Sequence, residues 1–287
     1  MTARPPLLGM EPHEPTFEQL AHEGALDHVL SAISGSRWGE HLVLRGSALM
    51  RAWYGDDARR PHDLDFIVDS QKWRDDENQT DDVFEDLFLT VDAIPRTGLM
   101  DGLRFVPSRS ERIAAYGPWE TMVRDREDGH WGYRLTLPWH CGGASGEVQV
   151  DFAFDERLHV PPRRTAVPRP SGEAPLFVKA VLPEQALCWK LYWLWTESRP
   201  QGKDLYDAWL LRNAKPSPRL LDQTSGIDGM GALLCASWVS AGKVGWDEFR
   251  AEYPMVRGSA EDYATAVLDE LLRPAFGSPE APRPAAE

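Results

Sequence analysis

The sequence predicts an α+β chain, with a sheet-bearing N-terminal part followed by an all-helical C-terminal part. Three observations carry this. Stretches before residue 160 alternate or run apolar as strands do. Strand signals stop near Pro183. Apolar residues then recur at helical spacing to about residue 273. A length of 287 residues suits one large domain or two modest ones.

Taken in order, residues 1–15 carry four prolines and are expected to be a disordered arm. His41–Arg45 is a short apolar strand ending at Gly46, and Ser47–Tyr54 reads as a helix. Asp63–Asp69 places Leu64, Phe66 and Val68 on one face and Asp63, Asp65, Ile67 and Asp69 on the other. The acidic stretch Asp69–Asp92 opens as a loop, and from Asp81 it suits a helix with an Asp cap. A solvated surface is its simplest reading. Gly132–His140 is expected to pair with Gly146–Asp155 as a hairpin across CGGASG. The second strand turns Val148, Val150, Phe152 and Phe154 inward, leaving Glu147, Gln149, Asp151, Ala153 and Asp155 on the opposite face.

The Pro-rich run Val160–Pro175 reads as a linker. Helical patterns follow at 183–198, 203–213, 216–223, 227–241, 246–253 and 260–273, with Pro183 suited to a first helical position. The expected organisation is an arm (1–15), an α/β domain (16–175), a helical domain that completes the cleft (176–273) and a disordered tail (274–287).

Composition limits the function. Lys and Arg number 31 against 45 Asp and Glu, a formal charge of −14, which excludes a surface that grips nucleic acid all over. A local patch remains open: Arg157, Arg163, Arg164 and Arg169, with His159, lie in a run without Asp or Glu. That run reads equally as a solvated linker. The three cysteines have no metal-ligand spacing and suit a reducing compartment. No signal-peptide core is apparent. The longest apolar-looking stretch, Ala186–Trp195, is about half a membrane span and contains Lys190. A soluble cytoplasmic protein with no membrane partner is the expectation. Of the 12 Trp, Trp189, Trp193 and Trp195 are expected mainly to pack the helical part.

Three features carry chemistry. Gly46-Ser47, between a strand and a helix, suits an oxyanion, because glycine admits close backbone approach and the first helical turn offers free N–H groups. It also suits a plain helix cap. Asp63 and Asp65, at i and i+2 of a strand, point to one face and repel unless a cation lies between them. Mg²⁺ prefers such oxygens and bridges to substrate phosphates, whereas the simpler reading is an exposed strand face. Asp151 lies on a later strand. If that strand adjoins Asp63–Asp69, three carboxylates converge as the ligand set for two-metal phosphoryl-type transfer. His62 points away from them and reads as structural.

The combination LVLRGSALMRAWYG…RRPHDLDFIVD, followed by VQVDF, matches the nucleotidyltransferase pattern of the polymerase-β-like superfamily. More narrowly it resembles the AbiEii/AbiGii-type nucleotidyltransferase toxin family. EQALCWKLYWLWTESRPQGKDLYDAWLL resembles that family's second block, with Glu184, Lys190, Leu191, Lys203, Asp204 and Asp207 at the matching positions. Ser47 stands where the family usually has a second glycine, Pro61-His62 where a small or acidic residue usually precedes DLD, and Lys203 where Arg is frequent. None of these departures removes a proposed ligand.

The resemblance implies a mixed sheet with flanking helices and an enzyme that moves a nucleoside monophosphate from an NTP to a hydroxyl acceptor. It implies Mg²⁺, with Mn²⁺ as a substitute, on Asp63, Asp65 and Asp151, with Lys190 joining these three as catalytic. Gly46, Ser47, Lys190, Lys203, Asp204 and Asp207 would hold the nucleotide. By spacing alone, Lys190 is a snorkelling lysine and Asp204 and Asp207 are capping and surface groups. The implied acceptor is RNA, including a tRNA 3′ end, or protein. The implied role is a toxin of a toxin–antitoxin or phage-defence system with a cognate antitoxin. Two other readings are a catalytically silent nucleotide- or partner-binding module on the same fold, and a nucleotide-sugar site. The second is disfavoured by Gly46-Ser47 and the KDxxD helix.

Overall fold

The computed structural model describes residues 8–69, 86–87, 89–90, 102–105, 132–153, 156–229 and 244–272. Its elements run β1 (Gly9–Met10), α1 (Phe17–Gly35), β2 (Leu42–Arg45), α2 (Gly46–Tyr54), β3 (Asp63–Val68), β4 (Arg104–Phe105), β5 (Gly132–Cys141), β6 (Ala144–Ala153), β7 (Arg163–Val167) and β8 (Leu176–Ala180). Then come α3 (Pro183–Thr196), α4 (Gly202–Leu211), α5 (Pro218–Ser225), α6 (Trp246–Glu252), β9 (Val256–Arg257) and α7 (Ala260–Leu272). The chain divides into two compact units: Gly9–Ala186 with Tyr253–Val256, and Leu187–Glu252 with the residues before Gly9 and from Arg257 on.

In the first unit, seven strands form one mixed sheet in the order β4-β5-β6-β3-β2-β8-β7. β3 runs parallel to β6 and antiparallel to β2, and β5 and β6 form an antiparallel hairpin. The alternation within β3 and β6 fixes the faces. Leu64, Phe66, Val148, Val150 and Phe152 are buried, and the Phe66 and Phe152 rings stack at 5.9 Å. Ala25, Leu26, Val29 and Ile33 of α1 and Leu49 and Met50 of α2 are buried as well. α1 packs on β6 and β8, and α2 packs on β3. Burial of these apolar side chains, each worth about 1.5–3 kcal/mol for the larger ones, commits the carboxylates between them to the other face.

α1 begins with a capping box in which Gln19 N–H donates to Thr16 Oγ1 (3.2 Å) and Thr16 N–H donates to Gln19 Oε1 (3.0 Å). The Val160–Pro175 run is not a linker. It contains β7, which pairs antiparallel with β8. Pro162 and Pro168 flank the strand without interrupting it, and β7 is the outermost strand, where a proline is tolerated and blunts the edge. The expected N-terminal arm contains a two-residue strand at Gly9–Met10, beside which Glu11 N–H donates to the Met255 carbonyl (3.0 Å).

The second unit is mainly helical among its described residues, with an isolated bridge between Gln201 and Gly245. Its core is aromatic: Trp246 lies 4.8 Å from Tyr263, Trp209 meets Tyr263 edge-on at 5.2 Å, and Tyr206 and Phe249 complete the cluster. Three expectations fall mainly outside the described residues: the helix from Asp81, of which only Asp86, Leu87, Leu89 and Thr90 are described as helical; the helix 227–241 beyond Gly229; and the tail 274–287.

Candidate active site

β2 delivers the chain to Gly46, whose φ of +75° turns it directly into α2. That conformation favours glycine, and space demands it too: a Cβ here would sit 1.9 Å from Asp65 Oδ2. Ser47, buried in the first turn, donates its hydroxyl to Asp63 Oδ1 at 2.9 Å. Ser47 is therefore not a helix cap. The N-cap is Arg45, which gives the first turn no side-chain hydrogen bond. The leading N–H groups of α2 thus lie beside the DxD carboxylates without a cap from the Arg45 side chain.

Across the sheet, one register row carries four charges. Arg45 on β2 stands opposite Asp65 on β3, Asp65 opposite Asp151 on β6, and Asp151 opposite Arg134 on β5. Adjacent strands lie about 4.8 Å apart. Two carboxylates about 5 Å apart repel by about 3 kcal/mol at an effective dielectric of 20. The two arginines offset that repulsion. Arg134 grips Asp151 as a fork, Nε to Oδ1 at 2.7 Å and Nη2 to Oδ2 at 2.8 Å. Arg45 pairs with Glu156. Burial alone would lower the Arg45 pKa, but Glu156, then Asp65 and Asp151, hold it above its ordinary value.

The sequence-predicted residues of this unit thus come together: Gly46, Ser47, Asp63, Asp65 and Asp151 share one corner of the sheet. Glu147, on the same strand face, is exposed, and Asp155 lies outside the described residues. Arg45, Arg134 and Glu156 escaped the sequence reading. Arg134 was within reach, because counting back from the two-residue turn Gly142-Gly143 places it opposite Asp151.

In the other unit, Lys190 is buried with its Nζ 2.7 Å from Asp204 Oδ1 and 3.0 Å from Asp207 Oδ2. It also lies 5.1 Å over the Trp193 ring. Helical spacing puts Asp204 and Asp207 on one face of α4, and the triad fastens α3 to α4. Lys190 is therefore an enclosed cation rather than a snorkelling one. Lys203 is half-buried. Glu197, also half-buried, has its pKa pushed up to about 7 by burial and then by the Asp204 charge, with Lys203 and Lys190 opposing.

Elsewhere, the basic run is partly neutralised. Arg169 binds Asp27 at 2.8 Å and also pairs with Glu173, and Arg164 lies 3.9 Å from Glu40. Arg157 and Arg163 are exposed. His62 has a structural partner, its Nε2 lying 3.0 Å from the Tyr253 hydroxyl.

Among the described residues, no three His, Cys, Asp or Glu side chains already stand as a ready metal cage. Arg134 engages both oxygens of Asp151, and Ser47 donates to Oδ1 of Asp63. The donor chemistry nonetheless fits a hard cation. All three donors are carboxylates, and Asp65 Oδ2 occupies the space beside Gly46 that a Cβ would fill. Among the described residues, no helix is long and apolar enough to cross a membrane.

The sequence model of the family described as "Nucleotidyl transferase AbiEii toxin, Type IV TA system" matches residues 28–230. No curated protein sequence matches the chain. Among solved structures, the nucleotidyltransferase toxin MenT4 of Mycobacterium tuberculosis H37Rv is similar with a TM-score of 0.55 and 16% identity, over 90% of this chain and 85% of that one. The JHP933 protein of Helicobacter pylori is similar with a TM-score of 0.51 and 12% identity, over 90% of this chain and 92% of that one. At these identities the likeness is one of fold.

Proposed function

The chain belongs to the AbiEii nucleotidyl transferase toxin family, and from that premise we propose that it transfers a nucleoside monophosphate from an NTP to a hydroxyl acceptor and releases pyrophosphate. The acceptor class we favour is RNA, with a tRNA 3′ end as the first candidate and protein as the second. We place the reaction in the cytoplasm, where NTPs and tRNA are abundant, and take a cognate antitoxin as partner.

The observation that carries this reading is the alignment of Asp65 with Asp151 on adjacent parallel strands, beside the corner where Ser47 binds Asp63. In the proposed site Asp63, Asp65 and Asp151 hold divalent cations, Mg²⁺ in the cell. When bound, such ions neutralise triphosphate charge and favour the ionised acceptor oxygen. Asp151 takes up the acceptor proton. The N–H groups of the first turn of α2 hold phosphate oxygens, and Ser47 keeps Asp63 turned toward them.

Lys190 acts on the nucleotide indirectly in this reading, since two carboxylates enclose its ammonium. It fixes Asp204 and Asp207 on α4; that Lys203, Asp204 and Asp207 contact the nucleotide rests on the family resemblance. The nucleotide-sugar reading loses its support with the family assignment.

The test is incubation of the purified protein with each α-labelled NTP and total tRNA, beside protein-only controls. Label transferred to RNA from one or two NTPs, with matching pyrophosphate release, supports the reading. NTP binding without transfer to any acceptor would move the assignment to a silent binding module.

A further inference from the structure

We infer that Arg134 is a built-in counter-ion that occupies the metal position at Asp151 until a divalent cation displaces it. The inference rests on the proposed metal site and deepens it.

Four observations carry it. Arg134 and Asp151 are register partners on β5 and β6, so the pair is set by the hairpin rather than by a chance surface meeting. The fork engages both carboxylate oxygens, at 2.7 and 2.8 Å, leaving neither oxygen clear of the guanidinium. The side chains are only 27% and 17% exposed, so the pair is screened far less than a surface bridge. Finally, the row lacks balance without the arginine: Asp65 and Asp151 stand side by side, and Arg45, the cation at the other end, is already paired with Glu156.

The exchange conserves charge sense. A singly charged guanidinium leaves Asp151, a doubly charged ion enters, and no proton moves because arginine stays protonated. Two consequences follow. The empty site pre-forms with Asp151 held near Asp65 instead of repelled from it. The same contact makes the site a weaker binder of metal alone, because the ion must break a charge-assisted fork to enter. The released guanidinium then lies beside the cation, where an anionic phosphate oxygen is its natural new partner. Arg134 is accordingly a positioning residue that biases the enzyme against holding metal without nucleotide.

The experiment is a Mn²⁺ titration of the metal-stripped full-length protein, followed by electron paramagnetic resonance, with no nucleotide present. Wild type, Arg134→Gln, Arg134→Lys and Asp65→Ala are compared, with circular dichroism as the folding check. Arg134→Gln is expected to bind Mn²⁺ about tenfold more tightly than wild type. Arg134→Lys, which keeps the charge but loses the fork, is expected to fall between them, and it carries the test if Arg134→Gln does not fold. Equal Mn²⁺ affinity in wild type and the Arg134 variants, with binding still lost in Asp65→Ala, would overturn the inference and leave the metal site standing. No Mn²⁺ binding by wild type or either Arg134 variant would overturn both.

Discussion

The Ser47 hydroxyl donates to Asp63 Oδ1 at 2.9 Å, so the first residue after the strand-to-helix glycine is tied to the first carboxylate of the DxD strand. This joins the proposed phosphate-binding corner to the proposed metal-binding strand through one part-buried hydrogen bond. Replacing Ser47 with Ala is expected to cost about 1–2 kcal/mol in stability. It is also expected to lower nucleotidyl transfer about tenfold to a hundredfold through loss of Asp63 orientation. Urea denaturation and initial transfer rates check the two parts separately.

Gly46→Ala is expected to be the more damaging substitution. A Cβ would overlap Asp65 Oδ2 at 1.9 Å, and the φ of +75° penalises any side chain. The carboxylate must move away, so transfer should fall more than a hundredfold while melting shifts by only about 1–3 kcal/mol equivalent. Side-by-side melting curves and transfer assays would reveal a pure stability effect if activity falls only as far as folding does.

Lys190→Ala is expected to destabilise the helical unit strongly. It would leave Asp204 and Asp207 buried without their cation, a loss of about 3–5 kcal/mol. Lys190→Ala combined with Asp204→Asn and Asp207→Asn should recover part of that loss, since no uncompensated charge then remains. Chemical denaturation monitored by tryptophan fluorescence measures both, and the twelve tryptophans include Trp193 directly beneath the ammonium.

Glu197 gives the fold a pH dependence of definite sign. Its folded pKa, raised to about 7, lies above the unfolded value of 4.5, so the folded state holds the proton more tightly. Its contribution to stability is full below pH 4.5 and is lost as pH rises toward 7. The group is half-exposed, so screening limits the effect to about 1 kcal/mol. Glu197→Gln should flatten the dependence of the denaturation midpoint between about pH 5 and pH 7. An unchanged slope in the variant would assign it to other groups.

Much of this architecture was legible in the chain itself, because local pattern and tertiary burial agree. β6 alternates from Glu147 to Ala153 and β3 from Asp63 to Phe66, so the carboxylate faces follow from period two, although Ile67 and Val68 are both buried. The helices α4, α5 and α7 have one-sided apolar spacing, while α3 is marked by Pro183 at its start rather than by a stripe. α1 was missed even though its capping box at Thr16 and Gln19 is present in the sequence. Buried residues from Ala21 to Ile33 surround much of the helix, and no single stripe betrays it. β7 was missed because proline composition masked a strand whose neighbours lie on one side only.

At the site, residue types declared the three carboxylates and the glycine-serine bend, while their cationic partners depended on register. Arg134 and Arg45 acquire meaning only when Asp151 and Asp65 stand beside them. Arg169 shows the converse: it looked like part of a basic track and is spent on Asp27, a partner 142 positions away.

Asp65 and its neighbours are proposed to bind the ions that drive transfer, and the most direct measurement is incorporation of α-labelled NMP into acceptor RNA by Asp65→Asn beside wild type. The substitution keeps the size of the side chain and one acceptor oxygen, turns the other oxygen into an NH₂ donor and removes one negative charge. The prediction is a native circular dichroism spectrum with transfer reduced at least about a thousandfold. Transfer at the wild-type rate by the folded variant would contradict it.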